Sequence, residues 1–472
     1  MLKYSLSFII IYVETTTKKN TSGTMLKKDF FRPILGIEHD NEKEILLVQD
    51  NKTSFNFIDL FAGAGGLSEG FMSTGFKPIA HVEMNADACL TLQTRVSYYY
   101  LLRTGKLETY RQYMRGKIDR DELYSHVSKK ELDTVINQTM SKESMSELFR
   151  KIDGLMNGQD IKSVDLIVGG PPCQAYSLVG RAVASDSMQN DPRNFLYQLY
   201  CRVLKKYQPA MFVFENVPGL LTANGGKYFT NMQKEFRRFG YEIHFNILNA
   251  FDFGVLQNRL RVILIGWKKG TSHKYPEFKE ESGQYTVNEI FRDLPALQAG
   301  EEENTYRSDE FGSYLTKAGI REPNDILTWN IARPHIERDR EIYRLVIAAW
   351  NKDKIRLKYP DLPDELKTHK NISAFLDRFK VVASDLPACH TVMAHISKDG
   401  HYFIHPDINQ ARSISVREAA RLQSFPDNYF FEGSRTAAFT QIGNAVPPLM
   451  AKGLAKGILN ELEKEALEWR AT

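Results

Sequence analysis

Apolar and polar positions follow a strand–helix rhythm along the first half of the chain. Residues 55–61 (FNFIDLF) are a short apolar run that stops at Gly63, Gly65 and Gly66, which predicts a strand, a tight loop and a helix. Residues 78–83 (PIAHVE) predict a second strand, and 86–96 a helix. The stretch 97–158 is charged, helix-like and free of proline, and reads as a helical insertion between elements of a sheet. The rhythm resumes with a buried strand at 164–169 (VDLIVG), closed by Gly170, Pro171 and Pro172. A helix over 195–207, a strand at 211–215 (MFVFE) and a helix around 227–239 follow. Two further runs, near 241–248 and 259–267, are placed to pair as a hairpin.

This alternation implies an α/β fold, a mostly parallel Rossmann-like sheet with helices on both faces. Ligands bind such sheets at the carboxyl ends of the strands. The glycines after the first strand, Glu83 after the second, and Cys173 and Glu215 after later ones therefore share one crevice. From 271 to 410 the alternation fails. That stretch holds seven of the eleven histidines, an acidic cluster at 301–303 and a basic patch at 352–358, and reads as a second, smaller, irregular domain. Beyond it, 415–423 predicts a capped helix ending before Phe425 and Pro426, and 446–469 a long amphipathic helix reached through Pro447 and Pro448. The organisation expected is an N-terminal extension (1–54), a first domain (55–270, with the insertion 97–158), a second domain (271–410), and a C-terminal segment (411–472) that completes the first.

Composition narrows the class. The 472 residues allow two or three domains, and 42% apolar with 25% charged residues excludes a disordered chain. Cys89, Cys173, Cys201 and Cys389 show no C-x-x-C spacing, which excludes a zinc cluster or disulfide framework and fits a reducing compartment. The apolar run 6–13 is shorter than the roughly 20 residues a membrane span needs. No small-residue cleavage site follows it before the polar run 14–24, and Met25 leaves residues 1–24 readable as an extended start. A cytoplasmic protein without membrane contact is expected. The net charge of +4 hides an uneven distribution. Residues 159–270 carry fourteen Lys and Arg against eight Asp and Glu, whereas 271–410 carry nineteen against twenty-three. A local basic cleft offset by an acidic second domain is the better description, and a phosphate backbone suits the cleft.

The chemistry gathers at the strand ends. The loop D-L-F-A-G-A-G-G-L lets backbone N–H groups approach a ligand, although it is too compact for the G-x-G-x-x-G dinucleotide fingerprint and by itself reads equally as a strand–helix turn. Glu83 is either a solvated charge at a helix start or a carboxylate that holds ribose hydroxyls. Together they favour an adenosine-containing cofactor. Cys173, in G-G-P-P-C-Q-A-Y-S, is presented behind two prolines and before a polar loop, 174–190. Most lone cysteines are small core hydrophobes, but this context suits a nucleophile. Glu215 ends an apolar strand, where an unpartnered carboxylate is costly. It reads as a proton donor or acceptor toward a heteroaromatic substrate, or as the ion partner of Arg259 or Arg261, which the alternation in Q-N-R-L-R places on one strand face.

These residues carry a family resemblance. The blocks FAGAGG in 57–66, GGPPCQAYS around Cys173, Glu215-Asn216-Val217, Gln257-x-Arg259-x-Arg261, Arg417-Glu418-Ala419-Ala420-Arg421 and Gly443-Asn444-Ala445-Val446 stand in the order found in the DNA (cytosine-5) methyltransferases. The resemblance covers about 55–270 and 411–472, and six ordered blocks are far more specific than any one. It implies the class I methyltransferase fold, with 271–410 as target-recognition domain. It further implies S-adenosylmethionine as cofactor, double-stranded DNA as partner, and a restriction system in which a separate endonuclease accompanies a monomeric enzyme. By resemblance, the Cys173 thiolate adds to cytosine C6 while Glu215 binds and protonates N3, with Arg261 at the base and Arg259 supporting cysteine and acid. Cofactor contacts are implied for Phe61, Ala62, Gly63, Ala64, Gly65, Gly66, Leu67, Glu83, Met84, Asp160, Ile161, Asn444 and Val446. DNA contacts are implied for Gln174, Ser177, Arg181 and Thr391.

A tRNA cytosine methyltransferase on the same fold is the nearest alternative, but the C-F-T element of those enzymes is missing here. A silent DNA- or cofactor-binding protein is disfavoured by intact Cys173, Glu215 and both arginines. His395, His401 and His405 invite a metal reading, yet no cysteine or carboxylate completes an ordinary ligand spacing, so no metal is expected.

Overall fold

A computed structural model describes residues 54–172, 196–281 and 283–471. Seven strands form one sheet in the order β3-β2-β1-β4-β5-β7-β6. They are β1 (Asn56–Leu60), β2 (Lys77–Glu83), β3 (Val135–Asn137), β4 (Leu166–Gly169), β5 (Met211–Asn216), β6 (Tyr241–Asn249) and β7 (Leu260–Lys268). β1 to β5 pair in parallel, while β7 runs antiparallel to both β5 and β6. The hairpin read from the sequence is therefore present, and it caps one edge of the sheet.

Strand alternation divides the side chains between two faces. Ile58, Leu60, Ile167, Phe212, Phe214 and Leu264 pack on one face. Helices Met145–Gly158, Leu196–Tyr207 and Lys227–Arg238 cover them with Leu148, Ile152, Tyr200, Val203, Leu204, Met232 and Phe236. Phe57, Leu166, Val168, Met211, Val213, Ile263 and Ile265 face the other way. There they meet Phe71 of helix Gly66–Met72 and Met450, Leu454, Ile458 and Leu462 of helix Pro448–Ala471. Burial on both faces explains why the strands read as continuous apolar runs. The C-terminal helix thus completes the first layer of the fold.

The reading of 86–158 needs correction. The stretch 97–158 is more than a helical insertion, because it contains β3, the edge strand that pairs with His81–Glu83. Three residues are too few for a period to register. Helix Ala86–Arg103 also runs further than 96. The stretch 271–410 contributes side chains to two cores. Ile342, Tyr343, Val346, Ile347, Tyr359, Leu362, Leu366, Phe379, Val381 and Ile404 form a core of their own. Val287, Ile290, Tyr314, Leu315, Val382, Val392 and Ile396 instead share one with Val416, Ala420, Phe425, Tyr429 and Ile442.

Buried ion pairs fasten that shared core. Arg421 donates to both oxygens of Asp427, at 2.9 and 2.6 Å, and to both of Asp293, at 2.7 and 2.9 Å. Arg412 meets Glu418 with two 2.8 Å bonds, and Ser415 caps helix Val416–Leu422 in a capping box with Glu418. Burial pushes the Glu418 carboxyl up, but Arg412, His405 and the bonds it accepts outweigh that and hold it at about 2. Removing one partner from such a pair leaves an uncompensated buried charge.

Candidate functional site

The strand order reverses between β1 and β4, so their carboxyl ends open a crevice. Phe61 leaves β1 with φ 59°, and the loop tightens as Gly65 N–H donates to Ala62 O at 2.9 Å. Gly63 N–H donates to Glu83 Oε2 at 2.8 Å, and the N–H groups of Met84 and Asn85 donate to Glu83 Oε1, each at 2.8 Å. The first two strand ends are thereby joined through one carboxylate. Beneath the loop, the buried Ser68 hydroxyl donates to Asp59 and lies 3.0 Å from His81 Nδ1, tying helix Gly66–Met72 to β1 and β2. Burial pushes the Asp59 carboxyl up to about 7, opposed by the Ser68 bond and assisted by the Glu83 charge, and pushes the His81 imidazole down to about 4.

The C-terminal segment closes this end. A Cβ on Gly66 would strike the Val446 carbonyl and lie 3.0 Å from the Ala445 Cβ and 3.3 Å from the Phe425 ring. Asn444 is exposed at the end of helix Arg435–Asn444, beside that contact. Gly66→Val is expected to cost about 1–3 kcal/mol through overpacking, measured as a lower thermal midpoint. An unchanged midpoint would mean that Val446 does not sit against the loop.

At the other end, Glu215 lies at the carboxyl end of β5. Because β7 is antiparallel to β5, its first residues reach the same edge, and Arg261 Nε lies 2.7 Å from Glu215 Oε1. Both side chains stay partly open, at 12% and 15% exposure. A Cβ on Gly170 would collide with Glu215 Oε2 and sit 2.7 Å from its carbonyl, so the backbone before the two prolines passes directly against the acid. Asn216 fixes that backbone, its Nδ2 donating to Pro171 O at 3.2 Å. Cys173, Gln174, Ser177 and Arg181 lie outside the described residues, and the described chain stops at Pro172, beside the acid.

Arg259, implied by the resemblance as a support for cysteine and acid, precedes β7 and is buried. It donates to the carbonyls of Val392 at 2.7 Å, Gly443 at 3.0 Å and Ala445 at 2.8 Å. Buried Gln257 donates to Leu422 O and Gln423 Oε1, each at 3.0 Å, and accepts from Val392 N–H at 2.9 Å. Gln257 and Arg259 thus clamp three distant segments together, which spacing alone gave no means of finding. Thr391 is half-buried next to this clamp, its hydroxyl donating to Asn258 O at 2.6 Å.

Asp160 and Ile161 do not join the crevice. They follow helix Met145–Gly158 and precede β4, at the amino ends of the strands, where Asp160 is 86% exposed and pairs with Lys162 at 2.5 Å. Sequence order misled because β3, unseen, lies between Glu83 and Asp160. Asn137 and Gln138 occupy the end of β3 beside Glu83, with Asn137 Nδ2 donating to Met84 O at 3.1 Å.

The three histidines of the metal reading face different partners: Asp399 for His395, Tyr343 for His401, and Glu418 with the Asp407 N–H for His405. Among the described residues, no three His, Cys, Asp or Glu side chains are grouped to hold a metal ion, and no helix is long and apolar enough to cross a membrane.

Comparison with known proteins agrees with this geometry. The family profile of C-5 cytosine-specific DNA methylases matches residues 55–111 and 113–460. The Type II methyltransferase M.Bpa9945I of Bacillus paralicheniformis is 43% identical over 438 residues, covering 85% of this chain and 98% of that protein. The Type II methyltransferase M1.HphI of Haemophilus parahaemolyticus is 31% identical, covering 86% and 87%. In fold, the chain superposes on the crystal structure of a candidate DNA modification methyltransferase encoded within a prophage (E. coli) with a TM-score of 0.58 at 24% identity, covering 87% of this chain and 100% of that one. With the profile matching along most of its length, around a crevice bounded by the glycine loop and Glu215, this chain belongs to the C-5 cytosine-specific DNA methylase family.

Proposed function

We propose that this chain transfers the methyl group of S-adenosylmethionine to C5 of a cytosine extruded from a specific double-stranded DNA sequence, as the modification enzyme of a restriction system whose endonuclease acts separately. The observation that carries the reading is the Glu215–Arg261 pair set against Gly170 and the Pro171-Pro172 backbone that leads to Cys173. A tRNA-directed activity is the weaker reading, because the relatives aligned along most of both chains are Type II methyltransferases.

The crevice residues suit an adenosyl cofactor. Glu83 accepts three backbone bonds, which leaves acceptor capacity on a carboxylate with about four lone-pair sites. Met84, 62% exposed beside it, offers an apolar surface to a purine, and the space in front of Gly63 is open. Residues 61–67, Glu83, Met84, Asn444 and Val446 would hold the cofactor, with Asn137 and Gln138 in place of Asp160 at the adenine edge. When bound, its sulfonium supplies an electrophilic methyl group.

Cytosine C5 is too weak a nucleophile to take that methyl group unaided. The Cys173 thiolate adds to C6 while Glu215, oriented by Arg261, gives a proton to N3, and the electron pair of the C5–C6 bond moves to C5. After methylation, loss of the C5 proton expels the thiolate, and return of the N3 proton to Glu215 restores the neutral ring. Extrusion of the base costs a few kcal/mol. Gln174, Ser177, Arg181 and Thr391 would contact the DNA, and 271–410 would read its sequence. Bisulfite sequencing of DNA from cells expressing this chain tests the reading, with protected cytosines expected within one short sequence. Unprotected DNA with protected tRNA would overturn it.

A further inference from the structure

The two loops proposed to hold the methyl donor, 61–67 and 83–85, each lead into a helix, and those helices are joined behind the crevice. Glu69, in the first turn after the glycines, accepts from Arg95 Nη2 at 2.6 Å, from Arg95 Nε at 2.8 Å and from the Tyr99 hydroxyl at 2.9 Å. Arg95 and Tyr99 belong to helix Ala86–Arg103, which follows Glu83. The guanidinium of Arg95 also donates to Asn428 Oδ1 at 2.9 Å and lies 4.8 Å from the Tyr429 ring centroid.

Tyr429 reaches the loop itself. Its buried hydroxyl donates to Ala64 O at 2.5 Å and lies 2.9 Å from where a Gly65 Cβ would stand. In a trans peptide the N–H points opposite to the C=O. Holding the Ala64 carbonyl back therefore turns the Gly65 N–H toward Ala62 O, 2.9 Å away, and closes the turn that presents Gly63 to Glu83. Tyr429 is itself held firmly. Arg417 Nη2 donates to its carbonyl at 3.1 Å, and two residues earlier Asp427 accepts from Arg421 and from the Tyr306 hydroxyl at 2.7 Å.

We infer that Tyr429 is a positioning residue for the methyl donor: its hydroxyl fixes the Ala64–Gly65 peptide, and so the shape of the loop that the donor meets. The inference rests on reading 61–67 as the donor loop. Tyr429→Phe keeps the ring and its packing but leaves a buried carbonyl without its donor, so the loop relaxes toward the crevice. The matched control is Tyr110→Phe, which removes a hydroxyl that donates to Asn428 O at 2.8 Å in the same segment without touching the loop.

The wild-type protein is first titrated with S-adenosylmethionine by calorimetry. Absence of binding would overturn the donor-loop reading itself. Given binding, Tyr429→Phe is expected to raise both Kd and KM for the donor about tenfold, the size of one lost buried hydrogen bond. Its kcat at saturating donor and its DNA affinity should stay within about twofold of wild type, and Tyr110→Phe should bind the donor as wild type does. Unchanged donor affinity in Tyr429→Phe, or an equal loss in Tyr110→Phe, would overturn the inference and leave the donor-loop reading standing. If Tyr429→Phe fails to fold, Arg95→Lys carries the same test, since it loses the paired bonds to Glu69 that brace the Tyr429 ring. Weakened donor binding supports the inference, and unchanged binding overturns it.

Discussion

Cys173→Ala is expected to reduce methyl transfer to background while donor binding stays within about twofold of wild type, because the proposed mechanism gives the thiol the addition to C6 and no role in holding the donor. None of the three described cysteines can take its place. Cys89, Cys201 and Cys389 are buried, and burial pushes the Cys89 thiol up to about 11, Cys389 up to about 12 and Cys201 higher still. A thiolate is the reacting form, so none of the three contributes at neutral pH. The measurement is covalent capture on duplex DNA carrying 5-fluorocytosine at the target. With fluorine in place of the departing proton, the ring cannot be restored and the C6–sulfur bond persists. Wild-type protein should be captured in the presence of donor, and Cys173→Ala should not. Near-normal turnover in the variant would sink the covalent mechanism.

The second large effect is expected from Glu215→Gln, with a loss of about 10²–10⁴ in the single-turnover rate at saturating donor. The amide preserves size and can still hydrogen-bond to the base, but it cannot pass a proton to N3. It also deprives Arg261 of its 2.7 Å ion partner in a half-closed site. Donor affinity should not change, since Glu215 sits past β4 from the Gly63–Glu83 end of the crevice. Comparison with Arg261→Lys separates the two contributions. The lysine variant retains the acid and loses only its orientation, so it should be impaired less. Equal single-turnover rates for wild type and Glu215→Gln would remove the acid from the mechanism.

Strands buried on both faces announce themselves as apolar runs, so β1, β2, β4 and β5 and the residues at their carboxyl ends were legible without coordinates. The edge strand β3 was not. It is three residues long, and its place in the sheet comes from tertiary pairing with His81–Glu83, which no local period encodes. Losing that one strand carried the error on to Asp160, assigned to a crevice that lies at the other end of the strands. The surroundings of Arg259 were hidden for a different reason. Its neighbour Arg261 does meet the acid, but the positions differ in surroundings: Arg261 opens on the crevice, whereas Arg259 faces carbonyls supplied by Val392, Gly443 and Ala445, over 130 residues away in sequence. The hydroxyl of Tyr429 on Ala64 was equally invisible, being a contact across 365 positions.

That interleaving has a consequence for how the enzyme comes into being. Helix Pro448–Ala471 packs on helix Gly66–Met72, and a Cβ at Gly70 would run into the backbone at Ala451 and Lys452. On a ribosome adding roughly 5–20 residues per second, the glycine loop waits some tens of seconds for the segment that completes its wall. The high sequence separation of these contacts makes the closing step slow, and until then an apolar face of the sheet stands uncovered. Folding to the last helix is thus a checkpoint on synthesis: a chain interrupted before residue 448 would leave the donor pocket unwalled and would not modify DNA.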